Sequence, residues 1–304
     1  MNKHNIIPTT LQEPENHLPK GTVHIIKPGE PLLGEDRFAK LYHTTSLQSF
    51  LLIWAKKRLK FAPVLGVNDM IEKVLRIEDQ NPQMMPVLFA LQDIRKKYKQ
   101  ISFTMDFDTS KKGYQSPLLW GIYGDKNNGV CIELDYNKLN LPENSFGGVV
   151  NYKEDVYPDI EIPKDIVSIN SLKSFIREKQ DILFFTKEKC WGYENEYRII
   201  TDSADYLDIS NAVSAVYVAN IDGLTYEIVE ALLKDTNIRF EYVSFNHSIR
   251  MLSSTDARQY KTSSIDAENN ADNFLKVLAE QAKEHYESLK NDPNADLTKS
   301  EYDT

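Results

Sequence analysis

The sequence predicts an α+β fold, a mixed sheet flanked by helices. Three observations carry this reading. Short β-like runs and helical stripes alternate irregularly, without the repeating βαβ series of a doubly wound domain. No G-x-G-x-x-G follows a strand, and Gly124-Asp125-Lys126-Asn127-Asn128-Gly129 has phosphate-loop spacing but lacks the Lys-Ser/Thr that completes such a loop. A hydrophobic content of 41% with 11% aromatic residues is ample for a sizeable core in 304 residues.

Residues 1–38 are rich in Pro, Asn, Glu and Gly and predict an extended N-terminal arm with one short strand, Thr22-Val23-His24-Ile25-Ile26. A single α+β domain is expected over 39–254. It opens with the strand Ala39-Lys40-Leu41-Tyr42-His43, after which Ser46 is placed to N-cap a helix carrying Leu47, Phe50, Leu51 and Trp54. Lys56, Lys57, Arg58 and Lys60 close that helix, where positive charge complements the dipole. A turn at Gly66, Asn68 and Asp69 follows, then a helix from about Pro86 to Tyr98, ending in Arg95-Lys96-Lys97. Ile101–Met105 alternates like a strand, Pro117–Tyr123 reads as a short aromatic helix, and Gly129–Leu134 and Gly148–Tyr152 read as strands. One long helix is predicted over 167–189, with Ile169, Leu172, Phe175, Ile176, Ile182 and Phe185 as its apolar stripe. A strand through Trp191–Ile200, a strand at Val213–Val218, a helix near Leu224–Leu233 and a strand at Phe240–Val243 complete the domain. Residues 255–304 form a polar C-terminal tail with one amphipathic helix bearing Phe274, Leu275, Leu278, Ala282 and Leu289. That helix is expected to pack on the body; dimerisation or a protein partner are the alternatives.

A net charge of −9 argues against a protein that coats nucleic acid, because phosphate neutralisation needs a dense basic face. Two distant cysteines, Cys131 and Cys190, suggest neither a metal knuckle nor a disulfide framework, and a cytoplasmic setting is the simplest expectation. The polar N-terminus lacks the apolar stretch of a signal peptide, and no run of about 18 apolar residues predicts a membrane span. The histidines at 4, 17, 24, 43, 247 and 285 are scattered, so no metal site is expected.

The segment from Lys189 to Ile200 carries the chemistry. In an extended chain Glu194, Glu196 and Arg198 share one face, suited to a cleft or a solvated surface, with Tyr193, Asn195 and Tyr197 opposite. Exposed ion pairs are the ordinary explanation of such a pattern. Three upstream islands accompany it: Leu41-Tyr42-His43-Thr44-Thr45-Ser46, Asn68-Asp69, and Trp120-Gly121-Ile122-Tyr123-Gly124-Asp125. Singly, each has an ordinary structural explanation: a satisfied histidine, a turn, and core aromatics.

In this order, together with Ile101-Ser102-Phe103-Thr104 and Gly129-Val130-Cys131-Ile132-Glu133-Leu134-Asp135, the islands resemble a bacterial family, domain of unknown function 2971. The resemblance spans roughly residues 40 to 245. The chain departs from the family pattern at Gly121-Ile122, where Ser/Thr-His is more usual, and at Thr104. Histidine on the first strand, a central aromatic and a glutamate on a late strand are in turn similar to the H-Y-E arrangement of ADP-ribosyltransferases, most of all those that modify nucleic acid. That second resemblance implies an ADP-ribosyltransferase-like fold and NAD as co-substrate, gripped without a Rossmann fingerprint. It implies an acceptor that is protein or nucleic acid and a setting in toxin or phage-defence biology. Glu196 would stabilise the oxocarbenium-like cation, while Glu194 would aid acceptor selection or raise the Glu196 pKa by repulsion. Arg198 would hold a phosphate or carboxylate, His43 and Thr44 the adenosine ribose, and Tyr123 or Trp120 would stack on nicotinamide. The basic runs Lys56–Arg58 and Arg95–Lys97 would serve an anionic acceptor, although solvated helix ends explain them as well. A non-catalytic module binding a nucleotide-like ligand or a protein is the alternative, and a hydrolase using Glu194 and Glu196 as paired carboxylates is the weakest reading.

Overall fold

The computed structural model describes residues 23–25, 40–66, 69, 72, 85–108, 110–154, 162, 166, 168–248 and 251–291. Among them the fold is α+β, built on a ten-stranded mixed sheet. Its strands are β1 (Val23–Ile25), β2 (Lys40–Thr45), β4 (Ala62–Pro63), β5 (Lys99–Met105), β6 (Val130–Asp135), β7 (Phe146–Val149), β10 (Glu196–Thr201), β12 (Val213–Val218), β13 (Arg239–Asn246) and β14 (Met251–Asp256). They run in the order β1-β7-β10-β5-β2-β6-β12-β13-β14, with β4 also on β5. Every pairing is antiparallel except β12 with β13, which are joined through helix α6 (Leu224–Leu233). Two small sheets stand apart, β3 (Arg58–Lys60) with β11 (Tyr206–Asp208), and β8 (Asn151–Lys153) with β9 (Thr186–Glu188).

Alternation of side chains divides the sheet's surroundings. On one face Leu41, Ile101, Phe103, Ile132, Ile199 and Val216 pack with Phe50 of helix α1 (Leu47–Lys56) and with Tyr226 and Val229 of α6. Ser46 caps α1 as expected, accepting from the Ser49 amide, and the helix stops at Lys57 in the left-handed region. The other face carries two separate apolar clusters. At one end Phe146, Phe185 and Ile200 meet helices α2 (Met85–Arg95), α4 (Ile169–Glu178) and α5 (Gln180–Phe184). At the other, Tyr42, Cys131 and Tyr217 meet Trp120 of helix α3 (Pro117–Ile122). Between these clusters the face is polar.

Several sequence expectations need correction. The helix over 167–189 is two helices and a strand, broken at Lys179. Leu183, Phe184 and Phe185 are all buried, and three consecutive residues cannot share one helical face. Phe185 instead packs against Gly148, where an added Cβ would lie 3.2 Å from its ring. The expected strand Gly148–Tyr152 is split between β7 and β8, which pair with different partners. The expected strand through Trp191 begins only at Glu196. Lys189–Glu194 is a 3-10 helix, and Asn195 turns it into β10 with φ at 44°. Part of the N-terminal arm, Val23–Ile25, joins the sheet edge against β7. The domain's last strand, β14, ends at Asp256. Helix α7 (Ala257–Asn291) starts from it with Ala257 buried, yet every residue of 266–281 is exposed, so this stretch does not pack on the body.

The loop with phosphate-like spacing is a structural turn. Asp125, Lys126 and Asn127 all have positive φ, and a Cβ at Gly129 would lie 2.2 Å from the Thr45 carbonyl oxygen. The glycine there permits β6 to start against β2.

Candidate functional site

A notch in the hydrogen-bond ladder makes room for a cavity. β10 covers one edge of β5 from Lys99 to Thr104. On the opposite edge β4 pairs only with Lys99 and Gln100, and β2 only with Thr104 and Met105. On that opposite edge Ile101, Ser102 and Phe103, between the two pairings, have no strand partner among the described residues. A cavity of about 290 Å³ opens there. Gln100 through Thr104 line it, as do Tyr42, His43 and Thr44 of β2, Tyr123 just after α3, Lys187 of β9, and Glu194, Glu196 and Arg198. Lys60, Ala62 and Gly66 line its solvent side and are exposed, whereas Glu194, Glu196 and Arg198 at the floor are 2–6% exposed.

The floor is a chain of alternating charge. Arg198 donates from Nε to Glu196 Oε1 at 2.7 Å and from Nη2 to Glu196 Oε2 at 2.8 Å. It also donates to Glu72 Oε1 at 2.8 Å and to the Phe184 carbonyl at 2.7 Å. Lys187 Nζ donates to Glu194 Oε2 at 2.5 Å and lies 3.6 Å from Glu196 and 3.8 Å from Glu72. Glu194 Oε1 accepts the Tyr123 hydroxyl at 2.6 Å. Charges this deeply buried persist only when paired and hydrogen-bonded.

Each partner's titration follows from these contacts. Burial pushes the Glu196 carboxyl up, but Arg198 and then Lys187 outweigh it and hold the pKa down to about 2. Burial pulls Lys187 down, and the Glu196, Glu194 and Glu72 carboxylates more than reverse this. Glu72 is raised, because its desolvation exceeds the attraction of Arg198. His43 is lowered by desolvation and is therefore neutral near pH 7. Its Nδ1 lies 3.4 Å from the Ser102 carbonyl oxygen, which can only accept. The proton is thus assigned to Nδ1, leaving Nε2 as an acceptor.

Local geometry brings Glu194 and Glu196 together. Asn195 holds its left-handed conformation by donating from Nδ2 to the carbonyls of Met105 and Asp106, at 3.2 and 3.0 Å. The Glu196 amide donates to the Tyr152 hydroxyl at 3.0 Å. Glu196 and Arg198 share a strand face, opposite Thr104 and Ser102 of β5. Glu194 reaches the same floor from the 3-10 turn rather than from the strand.

Of the residues singled out in the sequence, His43, Thr44, Tyr123, Glu194, Glu196 and Arg198 line this one cavity. Trp120 does not. Its indole is 1% exposed, packs in the cluster with Tyr42 and Tyr217, and donates to the Tyr114 carbonyl at 2.7 Å, so it cannot stack on a ligand. The three charges are buried in a cleft rather than spread on a solvated surface, with Glu194 reaching it from outside the strand. The Glu196 pKa is lowered rather than raised, because Arg198 and Lys187 outweigh its desolvation. Arg198 spends four of its five N–H donors on Glu196, Glu72 and the Phe184 carbonyl, which leaves it little capacity for a ligand anion. Arg95, read with Lys96 and Lys97 as a solvated basic end, is 5% exposed and donates to the Glu72 carbonyl at 2.7 Å. Asp69 is buried, while Asn68 falls outside the described residues. His247 lies in the turn after β13, edge-on to Phe245, and is not a lining residue.

Lys187, Glu72, Ser102 and Lys60 were missed. Lys187 had no distinct signal, since it stands in the charged run Lys187-Glu188-Lys189 that follows Thr186. Among the described residues no group of three or more His, Cys, Asp or Glu is placed to hold a metal, and no helix is long and apolar enough to cross a membrane.

Comparison with known families finds that residues 119–199 match the family described as Protein of unknown function (DUF2971). The match runs from α3 into β10 and so contains Tyr123, Lys187, Glu194, Glu196 and Arg198, but not His43 or Thr44. It is narrower than the span of motifs that first suggested the resemblance. No curated protein matches the chain.

Proposed function

We propose that the cavity binds NAD and that the protein is an NAD-consuming, mono-ADP-ribosyltransferase-like enzyme. The observation that carries this reading is the convergence of His43, Tyr123, Glu194 and Glu196, from distant parts of the chain, on one hollow. A volume near 290 Å³ sits at the lower end of ligand pockets, which span about 300–1,000 Å³. It suits the nicotinamide riboside half of NAD, with the rest of the dinucleotide lying toward the open side. As the nicotinamide–ribose bond breaks, nicotinamide leaves with the bonding electrons and positive charge builds at the anomeric carbon. Glu196, held ionised, meets that charge as a fixed carboxylate rather than as a proton donor. The acceptor, protein or nucleic acid, bonds to the anomeric carbon and yields its proton to the Tyr123–Glu194 pair. Neutral His43 accepts a ribose hydroxyl proton at Nε2 in a hydrogen bond. A toxin or phage-defence role belongs to the same proposal.

The test is incubation with NAD labelled in its adenylate half, with mixed protein and nucleic-acid acceptors, comparing wild type with Glu196→Gln. Thermal melts establish that both are folded. Label transfer or nicotinamide release by the wild type, reduced roughly 10²–10³-fold in the variant, is expected. A folded wild type that neither binds NAD nor releases nicotinamide overturns the reading. One observation favours a second reading, a non-catalytic nucleotide-binding module: both oxygens of Glu194 and of Glu196 are already bonded within the protein. NAD binding without turnover, surviving Glu196→Gln, selects it.

A further inference from the structure

We infer that Lys60 anchors an anionic group of the ligand, a phosphate or diphosphate, at the open side of the cavity. This rests on the nucleotide reading above and adds the ligand's charge and orientation to it. Among the described residues three cations line the cavity, Lys60, Lys187 and Arg198. Two are consumed internally: Arg198 by Glu196 and Glu72, and Lys187 by Glu194. Lys60 is different. Among the described residues no carboxylate lies within ion-pair distance of it, and Asp205, which feels its charge, is bonded to Lys99 at 2.5 Å. Its neighbours in the same basic run are occupied by aromatic rings, Lys57 over Trp54 at 2.9 Å and Arg58 over Tyr206 at 3.8 Å. Lys60 has no such partner among the described residues.

The floor joins three carboxylates, Glu72, Glu194 and Glu196, to two cations, and the lining's unpaired positive charge, Lys60, sits at the mouth. The position is also held rigidly, since Lys60 pairs with Tyr206 in the β3–β11 ribbon and the Phe61 amide donates to the Asp205 carbonyl at 2.9 Å. Gly66 also lines the cavity and is exposed. A Cβ there would come no nearer than 3.7 Å to any described neighbour, so packing does not require glycine, and the main chain stays open to a ligand. A ligand with a cation-forming end and an anionic end is thus oriented one way only: the reacting end on the acidic floor, the phosphates toward Lys60.

The test is calorimetric titration of wild type, Lys60→Ala and Lys60→Arg with ADP-ribose and with adenosine, at low and moderate salt. ADP-ribose is expected to bind the wild type more tightly than adenosine, with an affinity that falls as salt rises. Lys60→Ala should lose about 10–100-fold for ADP-ribose, the scale of a charge-assisted hydrogen bond, with adenosine unchanged. Lys60→Arg should keep most of the affinity. Lys60 is exposed, so the variants fold. ADP-ribose binding that is unaffected by Lys60→Ala, or no tighter than adenosine binding in the wild type, overturns the Lys60 assignment alone. Failure of the wild type to bind either ADP-ribose or NAD overturns the nucleotide reading and this inference with it.

Discussion

Replacing Arg198 with Met tests whether the buried charge network behaves as its geometry requires. Arg198 is 2% exposed and makes four hydrogen bonds, two to Glu196, one to Glu72 and one to the Phe184 carbonyl. Methionine fills much of the space but leaves Glu196 with Lys187, at 3.6 Å, as its remaining close cation. Removing one partner of a buried ion pair typically costs about 3–5 kcal/mol, mostly the penalty of the stranded charge. For a chain of this size that is a fall in Tm of roughly 6–20 °C. The assay is thermal unfolding at pH 7 of Arg198→Met, Glu196→Gln and the double variant. The double variant should be less destabilised than the two single losses added together, by at least about 1 kcal/mol, because the stranded carboxylate is gone. A single-variant loss below about 1 kcal/mol, or strictly additive losses, would refute the argument that desolvated charge sets the cost.

Two further outcomes follow from features already described. Glu196 titrates near 2 in the fold against an ordinary 4.5, so its stabilisation is complete above pH 4.5 and is lost as pH falls toward 2. That loss is on the order of 3 kcal/mol and is opposed by Glu72, whose raised pKa makes its protonation on acidification favour the fold. Denaturant midpoints between pH 7 and 2.5 should therefore decline less steeply for Glu196→Gln than for wild type, and the reverse order would contradict the network. Ending the chain at Asp266 should leave the Tm of the body within about 2 °C, because 266–281 is exposed throughout; a drop beyond about 5 °C would mean that the helix packs on the body after all.

Legibility in the sequence tracks how local the determining physics is. Ser46 and its apolar stripe specified α1, and Pro117 specified α3, because caps and periodicity act within a few residues. The break at Lys179 was not legible, since it depends on Phe185 finding Gly148 across the fold. β3, β4 and β11 hold only two or three residues each and exist through pairing with distant strands, not through propensity. At the site, the pairing of Glu196 with Arg198 could be read from their spacing. The placement of Glu194 could not, because the left-handed turn at Asn195 is secured by the carbonyls of Met105 and Asp106. Trp120 shows the opposite failure. Its motif is specific, yet an aromatic in a helix opposite Tyr42 and Tyr217 is claimed by the core.

The gap beside Ile101, Ser102 and Phe103 also bears on how such a pocket can change. In an antiparallel sheet the amide and carbonyl of one residue point the same way. Ser102, whose carbonyl faces the His43 ring, therefore aims its own N–H into the opening as well. Part of whatever contacts a guest is consequently written in backbone, which no side-chain replacement erases. Two more paired residues on β2 or β4 would zip the opening shut, and two fewer would widen it, with the oily layer beneath left as it is. Bore diameter here is a matter of strand length, adjustable by insertion and deletion rather than by point change.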